Sequence, residues 1–383
     1  MKYAFLNLKL AFLTSPILVL RVGGITLSDY LFFFAFILVL LCSKSTLSNS
    51  NIASRFYLPK VLIFASASLS MIVNPEKSDS FVTLIKFIVL LIFIPWTLRK
   101  LCSQKEDLYE LLKFYCIGLL IFSIYIIIAR TQKYGFSPSI ATTREKGLAE
   151  HVTDAGGICS ISILTCLILI RKIPKFYKTI ILIITLIALI FTGSVSGYVA
   201  SIIGIATFFY RNIQRKITMK NLGVGLILSF GIVALSNFFD ISNRINLATS
   251  GRYDTSQSRI ENWKVTLEAT IENLTTLFFG HGLNPKNNTF LSASGEVLGP
   301  HNIFLQCLSA AGVFFAIGIT IYLIQILKFS FSNNSLFDFF PLLITSLVFA
   351  LTSPLMYSRY IWLPFLLSLQ QSTIKEEKKI EKQ

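Results

Sequence analysis

The residues in this chain that could do chemistry are few and lie close together. Arg244, Arg252 and Arg259 fall in one polar stretch, residues 239–301, and Arg144 stands in an earlier polar loop. A guanidinium presents a planar fork that matches two phosphate oxygens at once, and it stays protonated at any physiological pH. Four such groups suit a phosphate or diphosphate ligand. The competing reading is ordinary pairing with lipid headgroups or with Asp254 and Glu261. His301, followed by Asn302, ends the stretch. An imidazole there can take a proton, give one, or orient a leaving oxygen; it can equally serve as a cap or an interface residue. The other histidines, His151 and His281, do not stand at metal-ligand spacing from it, and the six cysteines form no CxxC pair. No metal site or cofactor is expected.

These side chains need elements to position them. Ser256 or Ser258 can cap a helix. Ile260, Trp263, Leu267, Ile271, Leu274 and Phe278 then recur at helical spacing, with Arg259, Asn262 and Thr266 off that apolar face. Such a helix is expected to lie on a membrane surface with its polar side toward whatever fills the loop. Gly280 and Gly282 end it, and an Asn/Ser/Gly-rich stretch returns the chain to His301.

Composition says what the loop is attached to. The chain has 383 residues, 54% of them hydrophobic and 14% charged, whereas a soluble domain carries about 25% charged residues. Apolar runs near 4–20, 29–43, 59–74, 81–98, 108–128, 152–170, 178–192, 197–210, 221–238, 302–327, 335–351 and 360–372 predict about twelve transmembrane helices. The net charge of +16 does not point to nucleic acid, because the basic residues form short clusters between apolar runs and no stripe. Lys44, Arg55 and Lys60; Arg99, Lys100 and Lys105; Arg171, Lys172, Lys175 and Lys178; and Arg211, Arg215, Lys216 and Lys220 fall in alternate loops. Lys2, Lys328 and the tail Lys375, Lys378, Lys379 and Lys382 join the same side. By the positive-inside rule that side is cytoplasmic, so both termini are expected inside and the long loop outside. The first apolar run has no small-residue cleavage site after it and reads as a retained span.

The expected organisation is therefore an all-α integral membrane protein. Residues 1–238 carry helices one to nine, 239–301 form a large periplasmic loop containing a short amphipathic helix, 302–372 carry helices ten to twelve, and 373–383 form a basic cytoplasmic tail. Lys9, Lys86 and Lys113 lie in or near apolar runs; each is either functional or snorkels to the headgroups. Acids are almost absent from the runs, which argues against an ion-coupled transporter. The cysteines read as small hydrophobes packed between helices.

The ordered set Arg259 and Trp263, Gly280 and Gly282, His301 and Asn302, then Gly312 after nine intervening residues, resembles the O-antigen polymerase and O-antigen ligase superfamily of bacterial envelope glycosyltransferases. Two departures stand out. Phe315 occupies a place where ligases have a small residue or Tyr, and the turn Thr192-Gly193-Ser194-Val195-Ser196-Gly197 lacks the arginine that many relatives carry. The resemblance implies a multi-pass protein of the bacterial inner membrane, acting in lipopolysaccharide biosynthesis. It implies a metal-independent inverting enzyme whose donor is an undecaprenyl-diphosphate-linked oligosaccharide, with the bilayer and a chain-length regulator as further partners. Arg259 and Arg144 would hold the diphosphate, helped by Arg252 and Arg244. His301 would assist hydroxyl attack or hold the leaving group, with Asn302 beside it. Glu261 is a second candidate base, although an ion pair with a nearby arginine is the simpler reading. Tyr357, Arg359 and Tyr360, in the last outer loop, either border the site or join Trp362 in an interfacial aromatic belt.

Phe315 favours a polymerase over a ligase, which has the same chemistry and a lipid A-core acceptor. A flippase for lipid-linked oligosaccharide would need an internal repeat and a polar lining within the spans, and neither is evident. A scaffold without activity would leave the outer arginines and His301 with no role.

Overall fold

The computed structural model describes residues 1–22, 24–42, 56–74, 77–135, 144–149, 151–169, 172–213, 256–291, 297–332, 339–353 and 357–380. Arg244, Arg252 and the expected span at 221–238 lie outside them, as does the side chain of Arg259, whose backbone is described.

The chain is mostly helical. In order it forms α1 (Lys2–Thr14), a minimal hairpin of β1 (Arg21–Val22) and β2 (Ile25–Thr26), α2 (Leu27–Cys42), α3 (Tyr57–Val73), α4 (Lys77–Ile88) and α5 (Ile94–Leu101). There follow α6 (Lys105–Tyr134), α7 (Val152–Ile168), α8 (Lys175–Thr192), α9 (Val195–Ile213), α10 (Ser256–Ile271) and α11 (Leu274–Phe279). A second minimal hairpin, β3 (Phe290–Leu291) with β4 (Val297–Leu298), precedes α12 (Ile303–Ser332), α13 (Phe340–Ala350) and α14 (Arg359–Ile380).

Every expected span on described residues coincides with a helix. Among the described residues, three helices, Asp79–Leu101, Lys105–Tyr134 and Ile303–Phe331, are long and apolar enough to cross a membrane, and six shorter apolar helices accompany them. The first helix, α1, ends at Thr14, two residues before Pro16, which has no N–H to continue the helical ladder.

Prolines also shape the long helices. Pro95 has no N–H for the Leu91 carbonyl, and the ladder widens into a π turn, Val89–Phe93, between α4 and α5. Pro364 lies inside α14 and leaves the Tyr360 carbonyl without its helical donor. The Tyr115 hydroxyl of α6 donates to that carbonyl at 3.2 Å, which ties the start of α14 to the bundle. A backbone oxygen in an apolar interior is costly unless a partner is supplied.

Small residues set the helix contacts. At the α7–α9 crossing a side chain on Gly197 would meet the Gly156 backbone, and the Ser160 hydroxyl donates to the carbonyls of both glycines at 2.7 Å. Close backbone approach with a bridging hydroxyl holds helices together where apolar lipid supplies no net hydrophobic drive.

The third glycine matters most. At Ala311 and Gly312 the α12 helix breaks, and Gly312 takes φ +80°. The break releases the Ser309 and Ala310 carbonyls, which accept from the backbone N–H of His281 (2.7 Å) and Gly282 (3.1 Å). Ser70 of α3 donates to Ala310 as well, at 2.9 Å. A Cβ on Gly312 would collide with the Phe278 carbonyl, and one on Gly280 with the Ala310 carbonyl. Gly280, Gly282 and Gly312 thus dock the α11 turn into a broken span.

The one helix expected at the surface is split into α10 and α11, because Asn273 accepts from Thr276 N–H and starts a second helix. On α10 the apolar residues Ile260 (62% exposed), Leu267 and Ile271 face outward, and Leu274 at the start of α11 is 72% exposed. Asn262, Thr266 and Thr270 are buried on the opposite side, where α10 packs against α12. This inside-out burial is what a bilayer-facing helix requires, since water would not favour it.

Candidate active site

A cavity of about 460 Å³ opens where several helix ends converge. This size falls in the ordinary range for small-molecule sites, roughly 300–1,000 Å³. Its wall carries four basic side chains, Arg21, Lys86, Arg144 and Arg359, and one carboxylate, Asp154. His151 and His301 stand among them. The contributing segments are those around residues 18–26, 144–154, 288–301 and 357–359, which sequence parity assigns to loops on one side of the bundle, together with Lys86 of α4. At the other end, Lys105 and Lys172 both lie over the Tyr109 ring, at 5.4 and 5.2 Å.

Each cation is held by a different device. Arg21 lies on β1, its Nε donating to the Leu18 carbonyl at 2.9 Å. Lys86 stands one residue before the buried Phe87, with its ammonium 5.2 Å from the Tyr357 ring. Arg144 donates Nε to the Thr192 carbonyl at 3.3 Å, beside the backbone bond from Glu145 N–H to the Phe191 carbonyl at 3.1 Å. Gly193, at φ +57°, turns the chain there, so the turn between α8 and α9 braces the Arg144 segment. Arg359 is 4% exposed and forms a two-pronged ion pair with the buried Asp29 at the start of α2. Asp29 in turn accepts from Thr26 N–H at 3.2 Å, linking the first hairpin to α14.

Asp154 sits in the first turn of α7, 2% exposed, and accepts from the Tyr360 hydroxyl at 3.3 Å. The floor is fastened by Asn288, which lines the cavity. Its Nδ2 donates to the Gly282 and Asn284 carbonyls at 3.1 and 3.0 Å, and its Oδ1 accepts from Ser309 at 2.7 Å. The docking of α11 into the α12 break therefore positions one wall of the cavity.

Of the residues singled out by sequence, Arg144, His301, Tyr357 and Arg359 are brought together here. Asn302 is spent otherwise: its Oδ1 caps α12 by accepting from the N–H groups of Phe304 and Leu305 (2.8 and 3.2 Å), and its Nδ2 donates to the Leu351 carbonyl at 3.1 Å. Glu261 is exposed on α10 and does not line the cavity. The side chain of Arg259 and all of Arg244 and Arg252 lie outside the described residues.

Three expectations need correction. Tyr360 and Trp362 do not form an interfacial belt; both are fully buried, because Trp362 packs beside Tyr322 (6.2 Å between rings) and Phe365 (5.8 Å). Buried acids are not absent, since Asp29, Glu145 and Asp154 are all enclosed. They occupy helix starts and a loop at one end of the bundle, where N–H groups and cations surround them. Lys86 faces the cavity, whereas Lys9 pairs with Glu110 at 2.6 Å and Lys113 is exposed.

Arg21, His151 and Asp154 line the cavity without having been singled out for it by sequence, and Lys86 was singled out only as functional or snorkelling. The usable signal was a charged group within two turns of the same end of several spans, in a chain where charges are scarce. Outside the cavity, burial holds the His281 imidazole below the usual histidine range, against the pull of the Ala269 carbonyl and Glu272, so it is neutral at pH 7.

Residues 180–323 match the O-antigen ligase family. This match supports the O-antigen polymerase and ligase superfamily for that segment. The match runs from α8 through most of α12, and so takes in the Gly280–Gly312 docking and His301. Arg21, Lys86, Arg144, Asp154 and Arg359 lie outside it, contributed by the remainder of the chain. No curated protein matches the chain. The superfamily's members are glycosyltransferase-like enzymes, ligases and polymerases together, and the chain's apolar helices suit a membrane protein of that kind.

Proposed function

We propose that the protein is a surface-polysaccharide (O-antigen) polymerase, which transfers an undecaprenyl-diphosphate-linked glycan to a sugar hydroxyl at the periplasmic face of the inner membrane. The observation that carries this reading is the cavity wall, where Arg21, Lys86, Arg144 and Arg359 come from four separate parts of the chain and converge with two histidines. Such a wall suits a diphosphate leaving group, which gains negative charge as the glycosidic bond breaks, because fixed cations stabilise that charge without reorganising.

In this reading the donor diphosphate lies against Arg144 and Lys86, and Arg259 is a further residue proposed to hold it. The polyprenyl chain lies in lipid beside the outward apolar face of α10. His301, at the mouth of α12, holds the departing diphosphate or the incoming sugar. The acceptor hydroxyl attacks the anomeric carbon from the face opposite the diphosphate, which inverts that centre. Arg359 carries its own carboxylate, Asp29, and so contributes shape and hydrogen bonds more than net charge.

Phe315 argues for polymerase over ligase by its departure from the ligase pattern. It is fully buried against Phe87 (5.3 Å between rings), next to Lys86, so a difference there would alter the wall behind Lys86.

The deciding experiment is the lipopolysaccharide profile of a strain lacking the gene, complemented with wild type, Arg144→Ala or His301→Ala at matched expression. A polymerase leaves core capped with one repeat. A ligase leaves bare core while lipid-linked polymer accumulates. A wild-type ladder from both variants would sink the site assignment, and an unchanged profile on deletion would sink the function.

A further inference from the structure

We infer that the inner face of α10, carried by Asn262, Trp263 and Thr266 with His281 at one end, is a subsite for the sugar next to the donor diphosphate. The inference rests on the glycosyl-transfer reading above. Asn262 is 3% exposed and Thr266 1%. The Asn262 Oδ1, Trp263 Nε1 and Thr266 Oγ1 atoms are buried, and none has a hydrogen-bond partner. A polar atom taken from water and left unpaired costs free energy, and a buried indole N–H usually finds a partner. Thr266 stands three residues after Trp263 and four after Asn262, so it neighbours both on the helix surface. A fourth such atom belongs to the same seam. His281 Nε2 is buried without a partner. Its ring lies against Phe290 of β3, 5.0 Å between centroids, and beside the Ala269 carbonyl of α10.

Chemistry narrows the occupant. The four groups are an amide, an indole, a hydroxyl and an imidazole that burial keeps neutral. Without charge they do not suit a phosphate or a carboxylate. They offer an N–H donor, two acceptors and a hydroxyl that is both, which matches sugar hydroxyls. The half-buried indole adds a flat face for the C–H side of a pyranose. Placement agrees with this. The α10 helix packs on β3 and α12, and the cavity is lined by Asn288 and Thr289, directly before β3, and by Gln306 of α12. The first sugar is one bond from the diphosphate, so its subsite has to adjoin that cavity. The unpaired atoms bind α10 to nothing beneath it. No hydrogen bond of theirs therefore opposes a tilt of α10 about Glu272 and Asn273, which separate it from the docked α11, and that tilt admits the sugar.

The test uses full-length protein in lipid nanodiscs with two probes, the lipid-linked glycan extracted from the deletion strain and undecaprenyl diphosphate without sugar. Thr266→Val keeps the shape and removes the hydroxyl. It is expected to melt at or above the wild-type temperature, because an unpaired buried group has gone. Its affinity for the lipid-linked glycan should nevertheless fall about tenfold, roughly the worth of one hydrogen bond, while affinity for undecaprenyl diphosphate is unchanged. A purely structural role does not combine kept stability with lost sugar binding. Should Thr266→Val not be recovered folded, Asn262→Leu decides by the same readings. Glycan affinity within about twofold of wild type would overturn the subsite; a lowered melting temperature alongside it would assign the seam to a bound water only. An equal loss for both probes would also overturn it, by placing the effect at the diphosphate. If the deletion strain yields no lipid-linked glycan, or wild type binds neither probe, the glycosyl-transfer reading itself fails.

Discussion

At the residue scale the cavity is a contest between charge and enclosure. Arg144 donates Nε to the Thr192 carbonyl, which helps orient its fork. Arg144→Ala should lower polymer formation about 100-fold or more, the usual effect of removing one preorganised donor to a developing anion. Arg144→Lys should recover little of this, since a point charge cannot reproduce bidentate contact; ladder intensity on a silver-stained gel measures both. Glu261→Gln, by contrast, should leave the ladder unchanged, because the side chain is exposed and off the cavity wall.

Elements carry the stability. The buried pair of Arg359 and Asp29 joins the start of α14 to the start of α2. Breaking such a pair leaves an uncompensated buried charge, and Asp29→Ala should cost about 3–5 kcal/mol. A lowered melting temperature of the detergent-solubilised protein reads this out. Gly312 is the other weak point. Gly312→Ala would need a left-handed backbone with a Cβ driven into the Phe278 carbonyl, and strain of this kind costs about 1–3 kcal/mol. The expected sign is faster proteolysis within residues 239–301, because α11 can no longer dock on the Ser309 and Ala310 carbonyls; unchanged digestion would remove the docking argument.

Across the whole molecule, the segments that alternate along the chain sort to two ends. Those at residues 18–26, 144–154, 288–301 and 357–359 meet at the cavity, while Lys105 and Lys172 share Tyr109 at the other end. Under the proposed orientation the cavity end is periplasmic. A cysteine introduced as Glu268→Cys, at an exposed position of α10, in a background with the native cysteines replaced, should react with a membrane-impermeant maleimide in intact spheroplasts. Protection until the membrane is permeabilised would reverse the orientation.

Much of this was legible in the sequence, for definite reasons. Long apolar runs can satisfy their backbone only as helices, so the all-α class follows from composition. The surface helix α10 was legible because its apolar residues repeat at helical spacing, whereas the break at Ala311 and Gly312 was not, since the spacing from Asn302 served only as a family resemblance. What the residues could not disclose is which ends meet. Arg21, Lys86, Asp154 and Arg359 are far apart along the chain, and each has an ordinary explanation as a boundary charge. Only packing turned them toward one space, through a shared glycine crossing, a broken helix and a carbonyl freed by Pro364. Local pattern determines where a helix runs and which face is apolar, because those depend on neighbours three and four residues away. The site depends on contacts between residues hundreds apart, and the tertiary structure alone decided those.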